Sequence, residues 1–432
     1  MMTLILILSI FVFSAAIFSL LKIEENSFFK LLISGICAVS FLSISFTLSL
    51  FLNLSFLFYI IFLAMLNMVS IAFLTRKGLK MPRFAFKINK WLILLVSILL
   101  VQSILFWKGS KRWGEWDAWA IWNLHAKFFF YDDAWKNLFS NKISWTHPDY
   151  PLMLPSLIAV FWKAMGDIHP MVPAAIAYST LVSVLCLFYA SFKEGRFKIA
   201  GLTGILFLTL DLRFTSLAIM QYADTLVSLF ILITIILLSK KEGKPDAYFS
   251  LIGLFAALPI WVKNEGNVFF ILTCVLMICQ HYRQPRKISY YAMGVLPLLA
   301  LYVYFKIVYA PANDLVGALD NHTARKLLSF DRYKTIINYF INTLYYQFPL
   351  LLVLPFVILV ACPRKLASGG VLIVSGTLAA YLCVYVVTPH DLTWHLGTSL
   401  NRLIQQIYPA GIYCTLFIVY KYLLASPEPA LS

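Results

Sequence analysis

Residues 76–90 read Arg76-Lys77-Gly78-Leu79-Lys80-Met81-Pro82-Arg83-Phe84-Ala85-Phe86-Lys87-Ile88-Asn89-Lys90, and the run Trp91-Leu-Ile-Leu-Leu-Val-Ser-Ile-Leu-Leu-Val-Gln-Ser-Ile-Leu-Phe-Trp107 follows without a charge. A second apolar run, 53–74, precedes them. About 20 apolar residues in a helix cross the hydrocarbon of a bilayer. Lys and Arg without acids mark the connection between two such spans as cytoplasmic. Helix, basic connection, helix is therefore the unit from which this fold is read.

The rest of the chain repeats that chemistry. Of 432 residues, 61% are hydrophobic and 12% charged, and the mean hydropathy is +0.83. Soluble domains carry roughly a quarter charged residues, so the composition excludes a water-soluble globular protein, a disordered chain and a coiled coil. It predicts an all-α, polytopic membrane protein. Apolar runs at 3–21, 31–51, 53–74, 91–107, 170–191, 199–220, 225–239, 247–262, 265–280, 289–309, 347–362, 369–388 and 404–424 predict about thirteen transmembrane helices. The first run lacks a basic region ahead of it and a small-residue cleavage site, and reads as a retained helix. The net charge of +16 reads as cytoplasmic-loop lysine and arginine, with no nucleic acid partner. The cysteines Cys37, Cys186, Cys274, Cys279, Cys362, Cys383 and Cys414 have no metal-ligand spacing and read as small hydrophobes.

Orientation follows from parity. With 75–90 cytoplasmic and 151–165 lying at the interface, the loops 192–198, 240–246, 281–288 and 363–368 fall on the cytoplasmic side, and each is basic. A spanning 151–165 would put all four outside, against the positive-inside rule. The external loops are then 108–169, 310–346 and 389–403, with short turns at Asp224 and 263–265. They hold Glu115, Asp117, Asp132, Asp133, Asp149, Asp167, Asp224, Glu265, Asp314, Asp320, Asp331 and Asp391, with His125, His147, His322, His390 and His395.

Five stretches on that side carry candidate chemistry. Trp113-Gly-Glu115-Trp-Asp117 places two carboxylates among tryptophans. The rings suit an interfacial aromatic belt, whereas Glu115 and Asp117 suit a divalent cation or a general base. His147-Pro-Asp149-Tyr150-Pro151 predicts a fixed turn, its residues preceding proline held extended. Tyr222-Ala-Asp224 opens a helix, where Asp224 serves as an N-cap or as a second-site carboxylate. Asp211 and Arg213 fall inside or near the 199–220 span, where an ionisable pair is costly. Lys263-Asn-Glu265-Gly is either a satisfied Lys–Glu turn or a lysine reaching a ligand phosphate, oriented by Glu265. In the last external loop, His390, Asp391, Trp394, His395 and Arg402 precede the final span. The histidine spacing suits no zinc site, and Arg402 suits a lipid-linked phosphate or any lipid headgroup.

In order and sidedness these motifs resemble the GT-C superfamily of integral membrane glycosyltransferases, particularly bacterial lipid A aminoarabinose transferases and protein O-mannosyltransferase-like enzymes. The resemblance covers about 110–410 and rests on Glu115-Trp-Asp117, His147 to Pro151, Tyr222 to Asp224, Lys263 to Gly266, and Asp391 to Arg402. It implies a GT-C-like catalytic core over 91–432, with short interfacial helices in the first external loop and additional helices over 1–90. It implies transfer of a sugar, with inversion, from a polyprenyl-phosphate donor to a hydroxyl of a lipid or glycan acceptor. Asp117 best matches the catalytic carboxylate, with Glu115 as the competing choice. Asp224 would orient the sugar or acceptor, or complete a site for Mg or Mn with Glu115 and Asp117. His147, Asp149, Tyr150, Lys263, Glu265, His390, Asp391, His395 and Arg402 would contact substrate. The implied location is the bacterial inner membrane among its lipids, the active face towards the periplasm. The readings weighed against it are an O-antigen polymerase or ligase, and a lipid or sugar transporter or flippase.

Overall fold

In the computed structural model the described residues are 1–21, 26–77, 89–131, 134–192, 197–313 and 321–424. Lys80, Arg83, Lys87, Lys193, Arg196, Asp132, Asp133, Asp314 and Asp320 lie outside them. All regular structure among the described residues is helical. Eight of these helices are long and apolar enough to cross a membrane, or ten if each of two interrupted pairs counts as one span. The chain is thus a multi-pass helical membrane protein. Four further apolar helices, Met153–Met165, Asp224–Ser239, Tyr248–Val262 and Gly266–His281, run 13 to 16 residues. At about 1.5 Å per residue they fall short of the roughly 30 Å of hydrocarbon.

Three segments differ from the sequence expectation. The 199–220 run is two helices, Phe197–Leu210 and Leu212–Ile219, because the Asp211 carboxylate accepts the backbone N–H of Arg213 at 3.1 Å and opens a new helix. The 310–346 loop contains the helices Asn321–Leu328 and Phe330–Gln347. Most of the 389–403 loop belongs to the last long helix, Leu392–Val419, whose N-cap Asp391 accepts the N–H of Trp394 at 2.8 Å. In the last two cases the sequence predicts loop from polar residues whose backbone is satisfied within a helix or by a cap, and in the first it predicts a continuous span through a residue that caps a new helix.

Two compact units are present. The first comprises Met1–Lys193 with Asp211–Ala223, the second Glu194–Leu210 with Asp224–Ser432. Within the first unit, the three N-terminal helices Met2–Leu20, Ser27–Phe51 and Phe56–Arg76 pack together, and the first two also pack on Met153–Met165. Small polar side chains make those joins. Ser43 donates to the carbonyl of Met153 at 2.6 Å, Thr47 and Ser156 share a hydrogen bond of 2.7 Å, and Thr3 donates to the carbonyl of Ala164 at 3.0 Å. Asn67 donates to Ser9 at 2.9 Å. Such residues let helix backbones approach and hydrogen-bond where apolar burial gives no net drive. The 1–90 helices therefore brace the Met153–Met165 helix, the segment that follows the His147–Tyr150 turn.

In the second unit, Asp224–Ser239 is buried along almost its whole length, against Tyr248–Val262 and Leu392–Val419. Tyr248–Val262 in turn lies tight against Pro285–Val308 through Gly253 and Gly294. A Cβ on Gly253 would overlap the Tyr291 carbonyl oxygen, and one on Gly294 would overlap that of Ser250. This reciprocal contact fixes the helix that delivers Lys263. Replacing Gly294 with Val should cost about 1–3 kcal/mol and lower the thermal unfolding midpoint in detergent. Gly397→Ala, where no atom lies within 4 Å of the added Cβ, should leave the midpoint unchanged or slightly raised.

Candidate functional site

In the first unit the acid-bearing loop is pinned to the segment before Asp224. Gly114 has φ +74°, a left-handed conformation suited to glycine, and an added Cβ would also press on Ala118 and the Met220 carbonyl. The next residue, Glu115, donates its N–H to that carbonyl at 3.1 Å. Gln221 (φ +61°) donates through Nε2 to Ser110 Oγ at 3.1 Å and to the Lys111 carbonyl at 2.9 Å. The Glu115 carboxylate pairs with Lys111 at the surface. Asp117, half-buried, immediately precedes a π-helical turn, Ala118–Trp122. That turn separates the tryptophans. Trp116 and Trp119 are exposed, while Trp122 is buried and stacked on Tyr150 at 5.6 Å, which stacks on His147 at 5.0 Å.

His147 to Tyr150 forms the expected turn, closed by the Tyr150 N–H donating to the His147 carbonyl at 2.9 Å. Its first residue is not extended, however. His147 has φ +53° and ψ +59°. Tyr150 on its face accompanies this less populated conformation. Asp149 is buried beside it. Behind the turn, His125 is fully buried with Nε2 3.3 Å from Thr146 Oγ1, and burial pushes its pKa down to about 3.

The second unit assembles four of the singled-out residues. Asp224 Oδ1 accepts from Lys263 Nζ at 3.0 Å and Gln406 Nε2 at 2.7 Å, and Oδ2 accepts from Arg402 Nη2 at 3.3 Å. Lys263 Nζ also lies 3.3 Å from Glu265 Oε1. Asp224, Lys263 and Gln406 are buried, Arg402 and Glu265 partly exposed. Asp224 and the Lys263–Glu265 turn thus meet in one network. Gly266 sits where a Cβ would overlap the Pro259 carbonyl, the group that accepts the Lys263 N–H at 3.1 Å. The helix thus ends with its last turn folded under the lysine. Glu265 Oε2 is buried with no hydrogen-bond partner among the described residues.

Residues absent from the sequence reading complete the site. On the last helix His395, Ser399, Arg402 and Gln406 recur at four, three and four, the spacing of one helical face. Each meets a polar partner in the second unit. His395 Nδ1 pairs with Thr388 Oγ1 at 2.8 Å, Ser399 with Tyr385 OH at 2.7 Å, Arg402 with Asp224, and Gln406 Oε1 accepts from Tyr381 OH at 2.9 Å. That periodicity, continued into the apolar run, is the signal that could have found Gln406 and Ser399. His390 rests edge-on against Trp394 and His395. Asp391 caps its helix, and the Trp394 N–H and Thr393 hydroxyl it accepts hold its carboxyl below the ordinary carboxylate range. No group of three or more His, Cys, Asp or Glu that could hold a metal ion is found among the described residues. Of the residues named for a cation, Glu115 and Asp117 belong to the first unit and Asp224 to the second.

Asp224→Asn should remove the carboxylate that Lys263 and Arg402 share, leaving Lys263 only Glu265, at up to about 3–5 kcal/mol for breaking a buried pair from one side. Folded yield and unfolding midpoint should fall sharply, and Asp224→Asn/Lys263→Met should recover part of the loss. Equal losses in single and double variants would show that the pair is not coupled. His125 predicts an acid limb. Because the folded pKa lies below the ordinary value of about 6.5, its neutral form contributes fully above that pH. Stability is then lost progressively as pH falls towards about 3. His125→Gln should flatten that limb in unfolding measured from pH 7 to 4.

Comparison with protein-family models, with curated proteins and with solved structures finds no match to this chain.

Proposed function

We propose that the chain is a GT-C-type membrane glycosyltransferase of the bacterial inner membrane, acting at its periplasmic face on a polyprenyl-phosphate-linked sugar. The observation that carries this reading is the Lys263–Arg402 cation pair held on Asp224, Lys263 at the end of Tyr248–Val262 and Arg402 within Leu392–Val419. A phosphate leaving group needs its charge stabilised more than it needs covalent help, and fixed cations in a low-dielectric setting provide that. The adjoining Glu265 Oε2, buried without a donor, suits a sugar hydroxyl.

In this reading Asp117 takes the proton from the acceptor hydroxyl as its oxygen attacks the anomeric carbon. The bond from that carbon to the phosphate oxygen breaks, and the electron pair leaves on the phosphate, which Lys263 and Arg402 receive. The anomeric centre inverts. Glu115 competes with Asp117 for the base role, and a Mg or Mn ion at these carboxylates belongs to the same proposal. His147, Asp149 and Tyr150 would meet the acceptor, a lipid or a glycan.

Transport of a lipid or sugar is the second reading. It is favoured by the polar stripe His395, Ser399, Arg402 and Gln406 on one face of the last helix, since ionisable groups within spans often line pathways. One experiment separates the two. Labelled sugar is offered on a panel of polyprenyl-phosphate donors to purified membranes, with and without chelator. Wild type should transfer, and Asp117→Asn should lower kcat by about 10²–10⁴ with donor affinity intact. Full activity in Asp117→Asn moves the base to Glu115. No transfer by wild type with any donor, divalent cations included, leaves the transport reading, to be checked by flux in proteoliposomes.

A further inference from the structure

A second charged feature of the second unit takes no part in the function proposed above. An open surface cavity of about 450 Å³ is lined by Arg325, Lys326 and Arg332, with Ser329, Thr335 and Asp331 between them and Leu392 at its edge. It belongs to the helices Asn321–Leu328 and Phe330–Gln347 and to the first residue of Leu392–Val419.

Two of the cations are anchored by backbone. Arg332 donates from Nε to the Val386 carbonyl at 2.7 Å and from Nη2 to those of Tyr385 at 3.0 Å and Thr388 at 3.3 Å. Lys326 Nζ donates to the Thr388 carbonyl at 3.1 Å. These carbonyls close the C-terminal end of Gly369–Val387, the negative end of that helix. The anchors hold both side chains in place without neutralising them. Guanidinium and ammonium groups carry five and three donors respectively. Among the described residues, therefore, Arg332 Nη1 and two of the Lys326 protons remain for a ligand. An anion there would meet three cations and two hydroxyls against the carboxylate of Asp331 in the lining and that of Asp391, which also acts on Arg332.

The surroundings add an apolar element. Leu328 and Phe330, on either side of Ser329, are 86% and 79% exposed. Large apolar side chains beside fixed cations fit a headgroup attached to hydrocarbon, the arrangement of interfacial helices on anionic lipid.

We propose that this cavity is a binding site for a phosphate or pyrophosphate group, separate from the Asp224 cluster, and that Arg325, Lys326 and Arg332 are its ligands. The site stands whether or not the chain transfers sugar, since it asks only for phosphate affinity.

The test uses the full chain and two probes. One is polyprenyl phosphate in phosphatidylcholine nanodiscs, the other inorganic pyrophosphate titrated into the detergent-solubilised protein. Arg325→Glu, a charge reversal at a side chain making none of the backbone anchors, should weaken binding by about tenfold or more while the unfolding midpoint holds. Arg325→Gln serves as a second variant if the reversal fails to fold, with a smaller loss. Binding of both probes with parallel losses shows that the phosphate group alone is recognised. Binding of the lipid alone, lost in the variant, shows a lipid-borne phosphate, and binding of pyrophosphate alone shows a free one. Unchanged affinity in a folded Arg325 variant, or no binding of either probe by wild type, overturns the site.

Discussion

A carboxylate withdrawn from water must find its counter-charge inside the protein, and the second unit is organised around that requirement at Asp224. Burial costs a lone ion several kcal/mol. Here Lys263, Arg402 and Gln406 all converge on its two oxygens. Lys263 comes from the turn at 263–266 and Arg402 and Gln406 from the last helix, so the carboxylate fixes the register of both together. Tyr381 extends the constraint to a fourth element by donating to Gln406. Sliding any one helix by a single turn would leave a charge or an amide unpaired in apolar surroundings. Apolar contacts alone tolerate such slips; a network of this kind does not.

The first unit solves a different problem with different means. Its loop carries surface-paired Glu115 and half-buried Asp117, and it is held in place. The hold comes through backbone: a left-handed glycine at 114, a carbonyl of Met220 accepting from Glu115, and a Gln221 side chain reaching two groups at 110 and 111. Trp122, Tyr150 and His147 then form a stack of rings that ties the start of the loop to its end. The helices Met2–Leu20 and Ser27–Phe51 brace the following helix through serine and threonine, where lipid gives no hydrophobic incentive to associate.

The apolar helices were legible because a bilayer demands uninterrupted runs, and composition alone reports them. Polar helices were not. His395 and Arg402 fall in the sequence-predicted loop although they stand on one face of a helix, their period hidden by Leu396 and Leu400 between them. Phe330–Gln347 was missed for the same reason, with Asp331, Arg332 and Lys334 suggesting a connection. Asp211 looked like a costly ion inside a span and is instead the cap that ends one helix and begins another. At the site, Asp224, Lys263, Glu265 and Arg402 were each visible as residues out of keeping with their surroundings. Their partnership was not, because it joins positions 39 and 178 residues apart, and a sequence read without homologues carries no sign of pairing.

The stripe on the last helix also sets an order of events during synthesis. Arg402 inside an apolar segment resists transfer from the insertion machinery into lipid by up to about 3 kcal/mol. Its carboxylate partner is made far earlier, on the Asp224–Ser239 helix. Asp224 and Lys263 must therefore wait in the bilayer as a pair, with Gln406 and Arg402 still on the ribosome. A last helix that docks onto a charge already there would join its own insertion to the closing of the site.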